Sequence, residues 1–569
     1  MPSSTRHEPG HDPAAPAISR RGLLTTAAGA AGAVALAPLL SACGNNGGNG
    51  GTSTKSGIDA ILPTYVAQTA GPKPSYPAVA GVNGSLTNPG FLGYPTDQVK
   101  TVSAIPGSGG TFKAVGPSWN PIPAANNSYY QAVDKALGAN FDTQPANGNT
   151  YSTAIPPLIA AKKLPDWLQI PTWLNATFNT GELCANQFAD LTPYLSGDNI
   201  KKYPNLAAIP TGGWQSGVWQ NKLYGIPSYT DGQGFAGMVF YRKDMLQAKG
   251  ITPEVKSTDD LTALGKEVNN PSGNVWAFDA LFTYLQQVFK VPTNNFYIEG
   301  GKVHSSWQHP QMLELLSYCN SIAKMGLVHP QALANVNTSS PSRFQSGQVY
   351  IEGNGTGSWN TSDAQTGIKS APGYTRWGFP VFSSDGSTPT IGMGASSGWV
   401  SYLNKRLSAA QIQEALAISD YLAAPYGSYE YTLINFGVKG VDFTMTSAGP
   451  QLTTAGNNTA ADNIYNFFGS PQATVYNAGY PSITTGYCDW MANAGKYTYK
   501  PAFWNLNVTV PNQYSTAAAG TQLTDAMVSV WSGQQPVSYY QNALSTWEST
   551  GGTALLGWYQ KNVVDKGLS

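Results

Sequence analysis

The segment Gly394-Ala-Ser-Ser-Gly398 sets a serine between glycines in the G-x-S-x-G pattern that exposes a nucleophile at a strand-to-helix turn. Acyl transfer on that fold needs a histidine later in the chain than the serine. The five histidines are His7, His11, His304, His309 and His329, all upstream of Ser396, so chain order excludes the arrangement. His304 and His309 stand alone, with no nearby cysteine or second acidic cluster, a poor donor set for a metal. Glycoside hydrolysis asks only for two carboxylates across a cleft. No acid-rich pair marks the strand ends, and a secreted glycoside hydrolase stands as an alternative. After Cys43, the cysteines are Cys184, Cys319 and Cys488, an odd number at wide spacing that gives neither a disulfide framework nor a zinc motif. They read as buried small hydrophobes.

Beside that alternative stands recognition without covalent chemistry. The chain has 569 residues, too many for one small core, so two or more domains are expected. Only 11% of residues are charged, against about 25% in ordinary soluble proteins. Lys and Arg number 31, as do Asp and Glu, so the formal net charge is zero. With no basic excess to grip phosphate, nucleic acid is excluded as a partner. A surface made polar by Asn, Gln, Ser, Thr, Tyr and Gly suits neutral, hydroxyl-rich molecules.

The stretch YGIPSYTDGQGFAGMVFYRKDM, residues 224–245, runs from a Gly/Pro-punctuated polar loop into an apolar strand and ends on charges that open a helix. The strand is predicted at Met238 to Tyr241. Two earlier segments share this logic. GGTFKAVGPSWN offers a short strand whose exit loop bears Trp119, followed by a helix from about Ser128 with Tyr129, Val133 and Leu137 on one face. IPPLIAAKKLPDWLQIPTW offers a helix, a break at Pro165, a strand, and a polar and aromatic exit from Gln169 to Trp173. Further on, Ser257 and Asp260 have capping-box spacing, with Leu261, Leu264 and Val268 on one face behind them. Alternating short strands and helices predict α/β lobes with mostly parallel sheets. Ligands of such folds sit beyond the carboxyl ends of the strands, where Trp119, Gln169 and Tyr229 to Gln233 fall.

The N-terminus is an export signal. Arg20 and Arg21 precede an apolar segment from Leu23 to Leu40, with no acidic residue between Asp12 and Asp59. The Ser19-Arg20-Arg21 start resembles the twin-arginine signal, departing from it at Leu23 and Thr25, so the general secretory route stays open. Leu40-Ser41-Ala42-Cys43 resembles a bacterial lipobox, in which the cysteine becomes the first mature residue and carries the lipid. GNNGGNGGTSTKSG, residues 44–57, then reads as a flexible tether. No later run of 18 or more apolar residues occurs, leaving a lipid as the anchor.

In order along the chain, LYGIPSYTDGQGFAGMVFYRKDMLQAKGI with STDDLTALGKEV, MLELLSYCNSIAKMGLVHPQ, RFQSGQVYIEGNGTGSW, YTLINFGVKGVDF and LTDAMVSVWSGQQPVSYYQNALSTWESTGG resemble the extracellular solute-binding proteins of carbohydrate ABC importers, in their larger, oligosaccharide-binding subgroup. The resemblance runs from about Thr111 to Tyr559. It implies a bilobal, periplasmic-binding-protein-like fold of type II: two α/β lobes, a hinge and an interlobe cleft. It also implies a protein that catalyses nothing, binds an oligosaccharide, and presents it to ABC permease subunits from the extracytoplasmic face of the cell membrane, as a monomer without a cofactor. The expected organisation is a signal peptide over 1–42, the tether over 43–57 and an extended arm over 58–107. Lobe I then takes 108–229 with about 396–470, and lobe II takes 230–395 with about 471–569. Many members of the subgroup carry an acidic calcium loop. Here the matching stretch, NNPSGNVWAF (Asn269 to Phe278), keeps the turn residues and lacks the carboxylates that calcium requires, so no metal is expected.

A neutral sugar needs flat aromatics against its C–H faces and planar amides or carboxylates for its hydroxyls. The candidates are Trp119, Gln169, Trp173, Tyr229, Asp231 and Gln233, with Trp399 at a lobe crossover and Trp490 in GYCDWM. Trp359 closes the Gly-rich EGNGTGSW loop, where the resemblance places a stacking aromatic. Cys43 is the lipidation site. A cell-surface carbohydrate-binding module would favour internal repeats, which the sequence does not have.

Overall fold

The computed structural model describes residues 54–118, 122–235, 237–293, 295–335, 340–360, 367–368 and 371–568. The export signal, Cys43 and Trp119 lie outside them. The strands that matter are β1 (Thr111–Val115), β2 (Asn140–Thr143), β3 (Trp167–Pro171), β4 (Gly225–Ser228), β5 (Met238–Arg242), β6 (Trp276–Phe278), β7 (Val349–Asn354), β8 (Arg376–Gly378) and β9 (Trp399–Leu403). The helices are α1 (Ser128–Leu137), α2 (Pro156–Ala160), α3 (Lys243–Ala248), α4 (Thr258–Val268), α5 (Ala409–Leu422), α6 (Tyr429–Phe436) and α7 (Pro481–Ala494).

Local chemistry accounts for several of these boundaries. Asn127 starts α1 by accepting from Tyr130 N at 2.8 Å, and Gly138, at φ 65°, ends it. Tyr129, Val133 and Leu137 are fully buried, as their spacing predicts. α4 opens on a capping box: Ser257 Oγ accepts from Asp260 N, while Asp260 Oδ2 accepts from Ser257 N at 2.9 Å. Pro165 separates α2 from β3.

The first sheet has five strands in the order β2-β1-β3-β9-β4. β1 runs parallel to β2 and to β3, whereas β9 runs antiparallel to both β3 and β4. Every residue of β3 is buried, because the strand has a core on each face. Trp167 packs among Phe112, Leu137 and Phe468 on one side, and Leu168 and Ile170 pack among Tyr151, Phe178 and Tyr402 on the other. The second sheet has four strands in the order β6-β7-β5-β8. β6 and β7 are parallel, and β5 is antiparallel to β7 and to β8. Met238 and Phe240 face a core that holds Trp359 and Trp490, and Val239 and Tyr241 face the larger core of that lobe.

The sequence pattern predicts mostly parallel sheets, and the structure corrects this: both are mixed. In each, the reversed strand is the one that enters straight from the other lobe, β5 after β4 and β9 after the second sheet. A strand arriving from between the lobes must run away from that edge, while strands fed by helices on the outside run toward it. The tether is also shorter than expected at its C-terminal end. Thr54 caps a helical turn, Lys55–Asp59, and its backbone N–H donates to Asn221 Oδ1 at 2.8 Å, so the chain is docked on lobe I from residue 54.

Candidate functional site

Three chain segments converge at one edge of the first sheet. β3 ends at Pro171 and leads to Trp173; β4 ends at Ser228 and leads to Tyr229; β9 begins between them, with Trp399 in register with both Pro171 and Ser228. Their rings form one wall. Trp173 meets Trp399 edge-on, at 5.4 Å and 83°. Tyr229 meets Trp399 at 5.5 Å, and Phe467 lies 6.0 Å from Trp399 and 5.8 Å from Tyr229. Trp173 is 55% exposed, so a face of its indole is open. Thr172 holds the loop in place, its N–H and hydroxyl donating to Gly398 O at 3.0 and 3.2 Å. Tyr229 has φ 51°, a left-handed backbone that costs a non-glycine residue about 1 kcal/mol. Its N–H donates to Ser470 Oγ at 2.6 Å.

Behind the wall the sheet is unexpectedly polar. Gln169 and Ser401 face each other across β3 and β9, and both are fully buried. Neither amide atom of Gln169, nor the hydroxyls of Ser401, Ser228 and Thr230, nor Trp399 Nε1, has a hydrogen-bond partner among the described residues. Buried polar groups are rarely left so, and such a cluster is suited to ordered water or a solute's hydroxyls. Sequence reasoning singled out Gln169 and missed Ser401, Ser228, Thr230 and Phe467. A signal was there: one polar residue interrupts each otherwise apolar strand, WLQIP and WVSYL.

Other candidates fall elsewhere. Asp231 is a turn-former: Oδ1 accepts from the N–H groups of Gln233 and Gly234 at 2.7 and 3.0 Å, and Oδ2 accepts from Asn88 Nδ2 at 3.2 Å. Gln233 is 1% exposed and donates from Nε2 to Met491 O on α7 at 3.2 Å, which ties the crossover to lobe II. Trp359 is fully buried between Phe240, Trp377 and Tyr487, at ring distances of 5.9, 5.0 and 5.8 Å. Trp490 is buried too, its Nε1 donating to Phe379 O at 2.9 Å. Asp231 and Gln233 are bound into the crossover, and Trp359 and Trp490 pack into the core of the second lobe, while Gln233 Oε1 and Trp359 Nε1 have no hydrogen-bond partner among the described residues.

The serine of the G-x-S-x-G stretch is equally engaged. Ser396 N donates to Asn505 Oδ1 at 2.9 Å, and its hydroxyl accepts from Asn505 Nδ2 at 2.8 Å. His304 and His309 both pack on the Tyr297 ring, each at 5.0 Å. In the stretch that matches the calcium loop, Asn270 and Val275 close a backbone pair, and Asn269 Oδ1 accepts from Ala277 N at 3.0 Å. The turn therefore holds itself.

The sequence matches the model of a bacterial extracellular solute-binding protein family over residues 97–435, more than half of the chain. No curated protein matches. Among solved structures, the alginate-binding protein AlgQ2 without calcium ion is 16% identical, covers 80% of this chain and 98% of its own, and has a TM-score of 0.56. An HMO-binding, ABC-transporter-associated solute-binding protein from Bifidobacterium longum infantis ATCC 15697 is 14% identical, with coverages of 80% and 99% and a TM-score of 0.58. The S. pneumoniae ABC-transporter substrate-binding protein FusA in complex with kestose is 15% identical, with coverages of 80% and 99% and a TM-score of 0.57. At such identities the likeness establishes the bilobal fold.

Proposed function

The chain belongs to the bacterial extracellular solute-binding protein family, and on that premise we propose that it is the substrate-binding component of an ABC importer. It captures a neutral oligosaccharide between its lobes and delivers it to a membrane permease. The observation that carries this reading is the wall of Trp173, Trp399 and Tyr229, set where three strand ends converge and backed by Gln169 and Ser401. Indole and phenol faces match the apolar C–H faces of pyranose rings, and amide and hydroxyl groups match their rims. Closure of the lobes over the sugar would desolvate both and present a shape the permease can read. The solved relatives named above include one complexed with kestose and one described as HMO-binding, which supports the choice of oligosaccharide.

The reading includes no catalytic step, and the mature chain is monomeric and needs no cofactor. Export follows the twin-arginine-like signal, and Cys43 carries the lipid that holds the protein at the extracytoplasmic face of the membrane. No helix among the described residues is long and apolar enough to cross a membrane.

A thermal-shift screen against neutral and acidic oligosaccharides tests the function. A ligand at a hundred times its dissociation constant adds about 2.7 kcal/mol of stability. The expected result is a shift with a neutral oligosaccharide that is recovered intact. Cleaved sugar would turn the assignment to a hydrolase, and a shift with peptides alone would overturn the substrate class.

A further inference from the structure

The arm that precedes the first sheet touches lobe I, then lobe II, then lobe I again, and on its way it holds the first crossover. Its residues 54–96 lie outside the family match, which begins at residue 97. On lobe I, Val66 N donates to Ala207 O at 2.8 Å, and Ile58, Ile61 and Leu62 pack against the core. On lobe II, Gly90–Phe91 pairs in parallel with Val475–Tyr476. There Asn83 Nδ2 donates to Thr498 O at 2.7 Å, and Thr498 Oγ1 donates back to Val82 O at 2.9 Å. Returning to lobe I, Phe91 stacks on Tyr426 at 4.1 Å, and Glu430 Oε1 accepts from the N–H groups of Thr101 and Val102 at 3.0 and 3.1 Å.

Between these anchorages the arm grips residues 231–232, which lead from β4 to β5. Leu86 N donates to Gly232 O at 3.3 Å, and Asn88 Nδ2 donates to Asp231 Oδ2 at 3.2 Å. The fit leaves no slack: a Cβ on Gly232 would lie 2.4 Å from Leu86 O, and one on Gly81 would lie 2.4 Å from Gly495 O of lobe II. A chain this closely moulded to both lobes and to the segment joining them does more than cover surface.

We propose that residues 54–107 are a strap that fixes the first crossover and limits how far the lobes part, with Asn88 as the positioning residue for Asp231. The proposal rests on the lobe closure of the function given above. A bilobal binder spends part of its affinity on shifting an open ensemble toward the closed state. A strap that narrows the open ensemble lowers that cost and keeps Tyr229, two residues from Asp231, in place against Trp399.

The test needs no sugar, so its failure is distinct from failure of the substrate assignment. Spin labels go on cysteines replacing Lys163 and Lys324, exposed positions on lobes I and II, in a chain that carries Cys43→Ser and whose other native cysteines, Cys184, Cys319 and Cys488, are buried. The interlobe distance distribution is measured for the parent, for Asn88→Leu with Thr498→Val, and for the milder Asn83→Gly, whose side chain is exposed and whose φ of 57° suits glycine. Amide exchange over residues 81–91 is followed in parallel. The expected result is exchange faster by on the order of tenfold, together with a distribution broadened toward longer distances, in the double variant and to a smaller degree in Asn83→Gly. Unchanged exchange in both variants would overturn the claim that these bonds hold the strap. Released amides with an unchanged distribution would overturn its action on the lobes.

Discussion

Replacing Trp173 and Trp359 separately by alanine distinguishes a binding wall from a core, and the structure sets the size of each effect. Trp173 is 55% exposed and, among the described residues, has one ring neighbour, Trp399 at 83°. Its removal forfeits one edge-to-face contact, about 1 kcal/mol, and lowers the melting temperature of a chain this long by only about a degree or two. If its open face holds a sugar, binding suffers far more. Truncating an aromatic anchor costs about 2 kcal/mol, or roughly thirtyfold in Kd. Trp359 should behave in the opposite way. It is fully buried against Phe240, Trp377 and Tyr487, and a Trp→Ala change in such a site costs about 3–5 kcal/mol of stability. The folded fraction should bind as the parent does. Calorimetric titration with the oligosaccharide identified by thermal shift, alongside urea unfolding, gives both numbers for both variants. An unchanged Kd in Trp173→Ala, or a weakened Kd in a Trp359→Ala protein that stays folded, would refute the placement of the wall.

Burial, opposed by the N–H groups of Leu206 and Asn205 and reinforced by the charge of Glu430, pushes the Asp420 carboxyl up to about 6. A carboxyl raised above its unfolded value of 3.8 is more protonated in the folded state, so it lowers stability as pH climbs through this window. Asp420→Asn should therefore gain up to about 3 kcal/mol over the parent above pH 7 and lose that advantage below about pH 4, read from melting curves of the pair across the range; a variant less stable at pH 8 would sink the argument. Arg376 and Glu352 form a fully buried ion pair on the second sheet, and Arg376→Leu should cost about 3–5 kcal/mol in urea unfolding by stranding the carboxylate. Cys43→Ser should abolish palmitate labelling and move the protein from the membrane fraction to the medium; retention at the membrane would point to another anchor.

Features written in local sequence were legible in advance. The apolar face of α1, the capping box of α4 and the strand at Met238 are fixed by neighbours within a few residues, and all three form where the pattern places them. Strand direction was not legible, because nothing within VFYR or WVSYL states which lobe the chain has just left. Nor does tryptophan announce its surroundings: Trp359 and Trp173 each follow a polar exit loop, yet one is sealed under three rings and the other is open. Asp231 looks like a hydroxyl ligand until Asn88, 143 positions away, is seen to engage it. The polar pair Gln169 and Ser401 could have been read together only by knowing that β3 and β9 are neighbours in register.

The reversed strands also explain why wall and crossover are one structure. β4 must end, and β9 must begin, at the edge from which the chain passes between lobes, so the residues flanking the passage are the ones available to line it. Tyr229 belongs to both sets, its ring against Trp399 and its backbone leading into the turn that Asp231 closes. The second crossover is tied to the first through Gly394 N, which donates to Gly234 O at 3.0 Å, and a Cβ on Gly394 would come within 2.0 Å of that oxygen. Two crossovers held this closely cannot bend independently.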